Sequence, residues 1–209
     1  PAKLVNPKPE GGRLWHFDQS VVSTDGIQPE SGAVATLRPN EGRFGGAVAV
    51  EEATTNLLKD VANFTTGSWD RRNVNVTSLE YNGMPGARFT PTGAGDARVH
   101  QTFLSSSSGA AGRTFTWSFY ARGQTVRTFH VNFFGGVDGP FQPYDIRLTP
   151  EWRRYSITHT FPATATFGGI QWGNVTPYWG IDYLDWVEVA GVQVEEKPFA
   201  TSFVDGTRA

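Results

Sequence analysis

Asp182-Tyr183-Leu184-Asp185-Trp186-Val187-Glu188-Val189-Ala190-Gly191-Val192-Gln193-Val194-Glu195-Glu196 is the stretch whose reading decides the fold. Apolar and polar residues alternate along it. Val187 and Val189 fall on one face, Trp186 and Glu188 on the other, which is the period of a half-buried strand and not of a helix. The alternation breaks at Ala190-Gly191 and resumes with Val192 and Val194 opposite Gln193 and Glu195. A glycine at such a break predicts a bulge or a close backbone approach. The stretch therefore reads as a long strand that closes a β-sandwich, with Glu188, Glu195 and Glu196 as outward-facing structural carboxylates.

The same pattern extends backward through the chain. Strands are expected at 73–80, 87–90, 97–104, 113–122, 127–134, 144–148, 152–161, 167–172 and 184–195. Turn-forming runs separate them, such as Ser105-Ser106-Ser107-Ser108-Gly109 and Gly135-Gly136-Val137-Asp138-Gly139-Pro140. Short strands at this spacing indicate an all-β sandwich or barrel. A length of 209 residues suffices for one large domain of that kind. No stretch has helical periodicity, and no run of about 18 apolar residues exists to cross a membrane as a helix. The formal charge of −2 gives no electrostatic reason to expect nucleic acid. Cysteine is absent, which excludes disulfides, thiolate nucleophiles and zinc–thiolate sites. A single Met, 13 Pro and an excess of Arg over Lys fit a thermophilic source.

The beginning of the chain is different. Residues 1–12 are Pro/Gly-rich and polar, and read as an extended arm. Residues 14–58 are irregular apart from Leu14-Trp15-His16-Phe17 and one strand after the glycine turn in Gly42-Arg43-Phe44-Gly45-Gly46-Ala47-Val48-Ala49-Val50. The expected organisation is an N-terminal arm and appendage over residues 1–55, packed on a main domain over residues 56–209. Pro1-Ala2-Lys3-Leu4-Val5 lacks the basic and apolar regions of a signal peptide. The expectation is a protein that stays in the cytoplasm where it is made until something else releases it.

Four groups of residues carry a family resemblance: Asn56-Leu57-Leu58; Arg113-Thr114-Phe115-Thr116-Trp117-Ser118-Phe119-Tyr120-Ala121-Arg122; Glu151-Trp152-Arg153-Arg154-Tyr155-Ser156; and Ala190-Gly191-Val192-Gln193-Val194-Glu195. In this order they resemble the jelly-roll carbohydrate-binding modules of the family-four and family-nine type. Ala200-Thr201-Ser202-Phe203-Val204-Asp205 looks like the usual continuation. Gly42 to Leu58 resembles the segment that precedes such modules in bacteriophage tail and head-fibre proteins. The resemblance implies a jelly-roll β-sandwich whose concave outer face, lined with aromatics and amides, is a glycan groove.

Alternation sorts the faces. Phe115, Trp117 and Phe119, then Phe129, Val131 and Phe133, then Tyr155, Ile157 and Phe161 should meet in the core. The opposite faces carry His100, Tyr120, Arg122, His130, Asn132 and Gln171, which would collect on one outer face if their strands are neighbours. Sugars suit such a surface, because their C–H faces stack on flat rings while amides and Arg bond to vicinal hydroxyls. Trp69, Tyr178 and Trp179 fall in loop-like stretches, as walls of that groove or as lids over the sandwich end. The bland alternative is a solvated sheet face, or one covered by residues 1–55.

No cofactor is expected. The resemblance makes a structural calcium the one ion to consider, and Asp182 and Asp185, just before the closing strand, are its candidate ligands. The acid that the family places after Asn-Leu-Leu is missing from Val61-Ala62-Asn63-Phe64-Thr65-Thr66-Gly67, and only Asp60 lies nearby. The four His (His16, His100, His130, His159) show no metal-ligand spacing. Glu51-Glu52 and Glu195-Glu196 are adjacent pairs whose side chains diverge on a strand, so no catalytic carboxylate pair is expected.

The functional expectation is a non-catalytic virion structural protein, a capsid decoration or tail/fibre domain that binds host glycans. Its partners would be other virion proteins or its own copies, a trimer among the closed rings available. The alternative is a glycan-binding module of a secreted polysaccharide-degrading enzyme.

Overall fold

The computed structural model describes residues 53–92, 97–105, 109–136, 142–173 and 185–208, together with the backbone of 14–16 and 47–49. Fourteen strands follow one another: β1 (Leu14–His16), β2 (Ala47–Ala49), β3 (Thr54–Thr55), β4 (Asp70–Arg72), β5 (Val74–Tyr81), β6 (Met84–Pro91), β7 (Arg98–Leu104), β8 (Thr114–Gly123), β9 (Arg127–Phe134), β10 (Gln142–Leu148), β11 (Arg153–Thr160), β12 (Gly168–Trp172), β13 (Val187–Glu195) and β14 (Thr207–Arg208). The chain divides into two units. One comprises residues 1–54 and 207–209, where β1 pairs with β2; the other comprises residues 55–206.

The larger unit is a jelly-roll β-sandwich of two five-stranded antiparallel sheets. One runs β10-β9-β12-β7-β4 and the other β11-β8-β13-β6-β5. The nine strands expected from alternation are all present, within a few residues at their ends. The sequence reading missed β4 and the first half of β6. The latter follows a tight turn at Asn82-Gly83, where both residues have positive φ (51° and 74°), the geometry of a type I′ hairpin.

Inward-facing residues meet as alternation requires. Phe115, Trp117 and Phe119 on β8 face Phe129, Val131 and Phe133 on β9, and all six are buried. Trp172 is the hub of the aromatic core. Its ring lies 5.0 Å from Trp117, 5.4 Å from Phe89, 5.5 Å from Trp69 and 5.9 Å from Phe119. Tilted and edge-on contacts of this kind set positive ring edges against negative ring faces.

The closing strand β13 is central in its sheet, between β8 and β6, and every residue of it is buried. Its register shifts between Ala190 and Gln193, and Gly191 at the break has φ +56°. The bulge expected from the sequence is there, and it keeps Val187, Val189, Val192 and Val194 on the core side. Pairing with β6 ends at Ala190. Beyond it, Asn56-Leu57-Leu58 takes over. Leu57 N donates to Val194 O (2.9 Å). Asn56 Nδ2 donates to Val192 O (2.9 Å) and Val204 O (3.2 Å), while its Oδ1 accepts from Val194 N (3.1 Å) and Leu58 N (3.2 Å). One amide thus imitates a missing stretch of ladder.

The outward face of β13 departs from the sequence reading. Glu188 and Glu195 do point away from the core, but neither is exposed. Residues 197–206 lie across the far half of this face. Glu195 accepts from Thr201 N (2.9 Å) and Oγ1 (2.6 Å), Gln193 Oε1 accepts from Val204 N (2.7 Å), and Thr116 Oγ1 donates to Lys197 O (2.7 Å).

Two outcomes follow. Asn56→Ala strands two carbonyls and two amides in a buried site, so it is expected to lower unfolding free energy by about 3 kcal/mol or more, read by denaturant titration. His159 is half-buried against Phe133 (5.1 Å) and Phe161 (4.7 Å) and bonded to Tyr144 Oη (3.0 Å); burial pushes its pKa down. The unfolded chain then takes up this proton at higher pH than the folded one. Stability is full above about pH 6.5 and falls as pH drops below it. His159→Phe should flatten that part of the pH–stability curve relative to wild type.

Candidate binding face

The outer face of the β10-β9-β12-β7-β4 sheet gathers four of the residues singled out in the sequence. Cross-strand register aligns Pro143, Asn132, Gln171, His100 and Asp70 in one row over all five strands. His130 stands one row along on β9, beside Asp145 on β10. Phe134, Gly169 and Thr102 form the row on the other side.

Asn132 and Gln171, expected to line the groove, do lie on this outer side, but they are 0% and 1% exposed and form a sealed floor. Both amide nitrogens donate to the carbonyl of Gly173, at 2.9 and 2.8 Å. That shared anchor fixes both amide planes. Asn132 Oδ1 is buried without a hydrogen-bond partner among the described residues. Such a group calls for a ligand or a water to complete it.

Half-buried rings stand around this floor. The Phe134 ring lies across Gly169, where a Cβ would come within 2.2 Å of it, and reaches the His100 ring edge-on at 5.6 Å. Glycine at 169 is what lets an aromatic platform lie flat on the sheet. His100 Nε2 is 3.4 Å from Asp70 Oδ2, and His130 Nδ1 is 2.5 Å from Asp145 Oδ1, so a carboxylate orients each imidazole. These two acids occupy opposite edge strands, four inter-strand spacings apart, roughly 19 Å. Glycoside hydrolysis with paired carboxylates uses separations of about 5–9.5 Å. Arg98 and Arg72 sit opposite one another at the β7/β4 end of the same face.

Tyr120 and Arg122 are not part of this face. They lie on β8, on the outer side of the other sheet, with the core between. Trp69 does not wall the groove either. It is 2% exposed, its ring is 4.6 Å from Phe64, and its Nε1 donates to Asp60 O (3.2 Å), so it plugs the end of the core. Tyr178, Trp179 and Asp182 lie outside the described residues. Asp185 is buried, and its carboxylate is taken up within the protein. Thr125 Oγ1 donates to Oδ2 (2.7 Å), and Arg127 Nη1 lies 3.7 Å from the same oxygen. Among the described residues no three His, Asp or Glu come together to hold a metal ion. Sequence reasoning missed Phe134 and Gly169 as a pair; a phenylalanine facing a glycine across a strand pair was the available signal.

No protein-family profile and no curated protein matches the chain. Solved structures similar to it include a family-4 carbohydrate-binding module, at 19% identity over 62% of this chain and 86% of that one (TM-score 0.47). The xylan-binding CBM22-1 domain from Paenibacillus barcinonensis is similar at 13% identity over 70% and 94% (TM-score 0.46). The enzymatically active domain of bacteriophage CBA120 tailspike protein 4 is similar at 16% identity over 67% of this chain and 21% of that one (TM-score 0.48).

Gly169→Ala tests the platform. The added methyl must push the Phe134 ring off the sheet, so fluorescence or NMR should show the ring displaced. Thermal stability should fall by about 1–3 kcal/mol or less, since a ring can move where backbone cannot.

Proposed function

We propose that residues 55–206 form a non-catalytic glycan-binding domain, with its groove on the outer face of the β10-β9-β12-β7-β4 sheet. The observation that carries this reading is the half-buried Phe134 ring laid flat over Gly169, beside a rigid floor of two amides. Asn132 and Gln171 form that floor side by side, with both nitrogens tied to Gly173 O. Phe134 offers a flat ring for a pyranose C–H face, and His100 and His130 add polar groups at either side. A ring platform held by such a floor loses little freedom on binding, which favours affinity.

Retention in affinity gels containing xylan, β-glucan or soluble cellulose derivatives tests it. Wild type is expected to be retarded by at least one of these. Gln171→Ala and Phe134→Ala should each weaken binding about tenfold, with unchanged far-UV circular dichroism. A wild-type chain that none of them retards sinks the reading.

The finer reading places this domain on a virion, as a decoration or fibre protein that attaches to host-surface glycans. The resemblance of Gly42 to Leu58 to phage fibre segments supports it. Light scattering after size exclusion should then show a closed oligomer, whereas a strict monomer at all concentrations would favour a module of a secreted polysaccharide-degrading enzyme.

A further inference from the structure

The outer face of the second sheet is divided between two coverings. Residues 197–206 occupy the part over Gln193, Glu195 and Thr116. The other part carries rings and guanidinium groups. Two cross-strand rows define it. Thr77, Arg88, Glu188 and Arg122 form one, with Trp152 at its end just before β11. Leu79, Gly86, Ala190, Tyr120 and Arg154 form the other. Gly86 leaves room for the Leu79 side chain and the Ala190 methyl in mid-sheet, and Met84 and the Tyr120 ring close over Gly191. Tyr81 crosses this floor to stack on Trp152 (4.3 Å, interplanar 17°) and to reach Tyr120 (5.5 Å).

Glu188 is buried under this layer and serves two arginines. Arg88 Nε and Nη2 donate to its Oε1 (2.9 and 2.6 Å), and Arg122 Nε donates to Oε2 (2.5 Å). Both carboxylate oxygens are then occupied. Trp186 lies against both guanidinium groups, 4.4 Å from Arg88 and 5.6 Å from Arg122, and Trp152 is 5.1 Å from Arg122. Arg122 is therefore held at Nε and flanked by two indoles. Among the described residues its two terminal nitrogens make no hydrogen bond, and its side chain is 34% exposed. Arg154 adds a third cation, 6.0 Å from the Tyr120 ring. Three arginines stand here against one glutamate, in a chain whose net charge is −2.

We propose that this face is a second ligand site, separate from the groove, for a sugar bearing an oxyanion: a uronate or sulfated residue of an acidic polysaccharide. The open edge of a guanidinium matches a carboxylate or sulfate in a two-point hydrogen bond. The Nε bond and the flanking indoles hold Arg122 in one orientation before the ligand arrives, so little side-chain entropy remains to be lost. The ring edges of Tyr81, Tyr120 and Trp152 give the rest of the sugar apolar contact. A peptide suits this face less well. β8, β13 and β6 are paired on both sides, so an extended chain finds no strand edge to add to.

Calorimetric titration with polygalacturonate, dextran sulfate, neutral xylan and poly-L-glutamate tests the proposal. At least one of the two anionic polysaccharides should bind, and the one that binds better distinguishes carboxylate from sulfate. Arg122→Lys keeps the charge beside Glu188 but loses the fork, and should weaken that binding about tenfold. Trp152→Ala should weaken it too, and Gln171→Ala should leave it unchanged, each variant being checked by melting temperature. Absence of binding to both anionic polysaccharides would overturn the proposal. So would equal binding by Arg122→Lys, loss of binding in Gln171→Ala, or poly-L-glutamate binding as tightly through Arg122. Acidic binding that survives while neutral xylan and its relatives fail to bind would sink the groove reading and leave this site standing.

Discussion

A strand buried on both faces must satisfy every polar group it carries, and β13 is such a strand. Its core face is valine, but its outer face presents Glu188, Gln193 and Glu195 to an environment without solvent. An unpaired carboxylate there would be prohibitive. The arrangement of the second sheet follows from this demand. Arg88 and Arg122 converge on Glu188 from both neighbouring strands, and residues 197–206 fold back because Glu195 and Gln193 fix Thr201 and Val204. Asn56 completes the set by supplying the hydrogen bonds that β6 no longer reaches. The bulge at Gly191 is what brings these needs into register.

The two outer faces consequently offer different chemistry from one scaffold. The β10-β9-β12-β7-β4 face presents amides, imidazoles and a phenylalanine in its middle, with its acids on the edge strands and Arg98 and Arg72 at the β7/β4 end. The other face presents guanidinium groups interleaved with indole and phenol rings. Most side chains of both faces stand on regular strands, with Trp152 and Trp186 each one residue before a strand, so each set is held rigidly.

Much of the sandwich was legible in the sequence, because period-2 alternation distinguishes inward from outward at every strand. Phe115, Trp117, Phe119 and Val131 needed no other information. Alternation carries nothing about which strands become neighbours. Tyr120 and His100 both read as outward, and only the pairing of β8 with β13 and of β7 with β12 puts them on opposite sides of the molecule. Burial on an outer face was equally hidden. Gln171 alternates as a solvated residue should, yet it is 1% exposed, its amide tied to Gly173 O two residues on, while the Phe134 ring over neighbouring Gly169 comes from β9. Trp69 sits in a segment with no period, so nothing local marked it as core. Asp185 is a candidate ion ligand only through the family resemblance, and alternation did not reveal its neighbour Arg127, 58 positions away.

The position of β13 also bears on how the chain is made. It is the last strand of the sandwich to be synthesised, yet it belongs in the middle of its sheet. Its ties reach back 66 residues to Arg122, 100 to Arg88 and 138 to Asn56. During vectorial synthesis β6 and β8 must remain without the neighbour they share, with apolar faces open, until this segment leaves the ribosome. Such sequence-distant pairing slows folding and lengthens the interval in which nascent edges are vulnerable to aggregation. The strand that makes the finished sandwich rigid is therefore also the step at which its production is most exposed to chaperone supply.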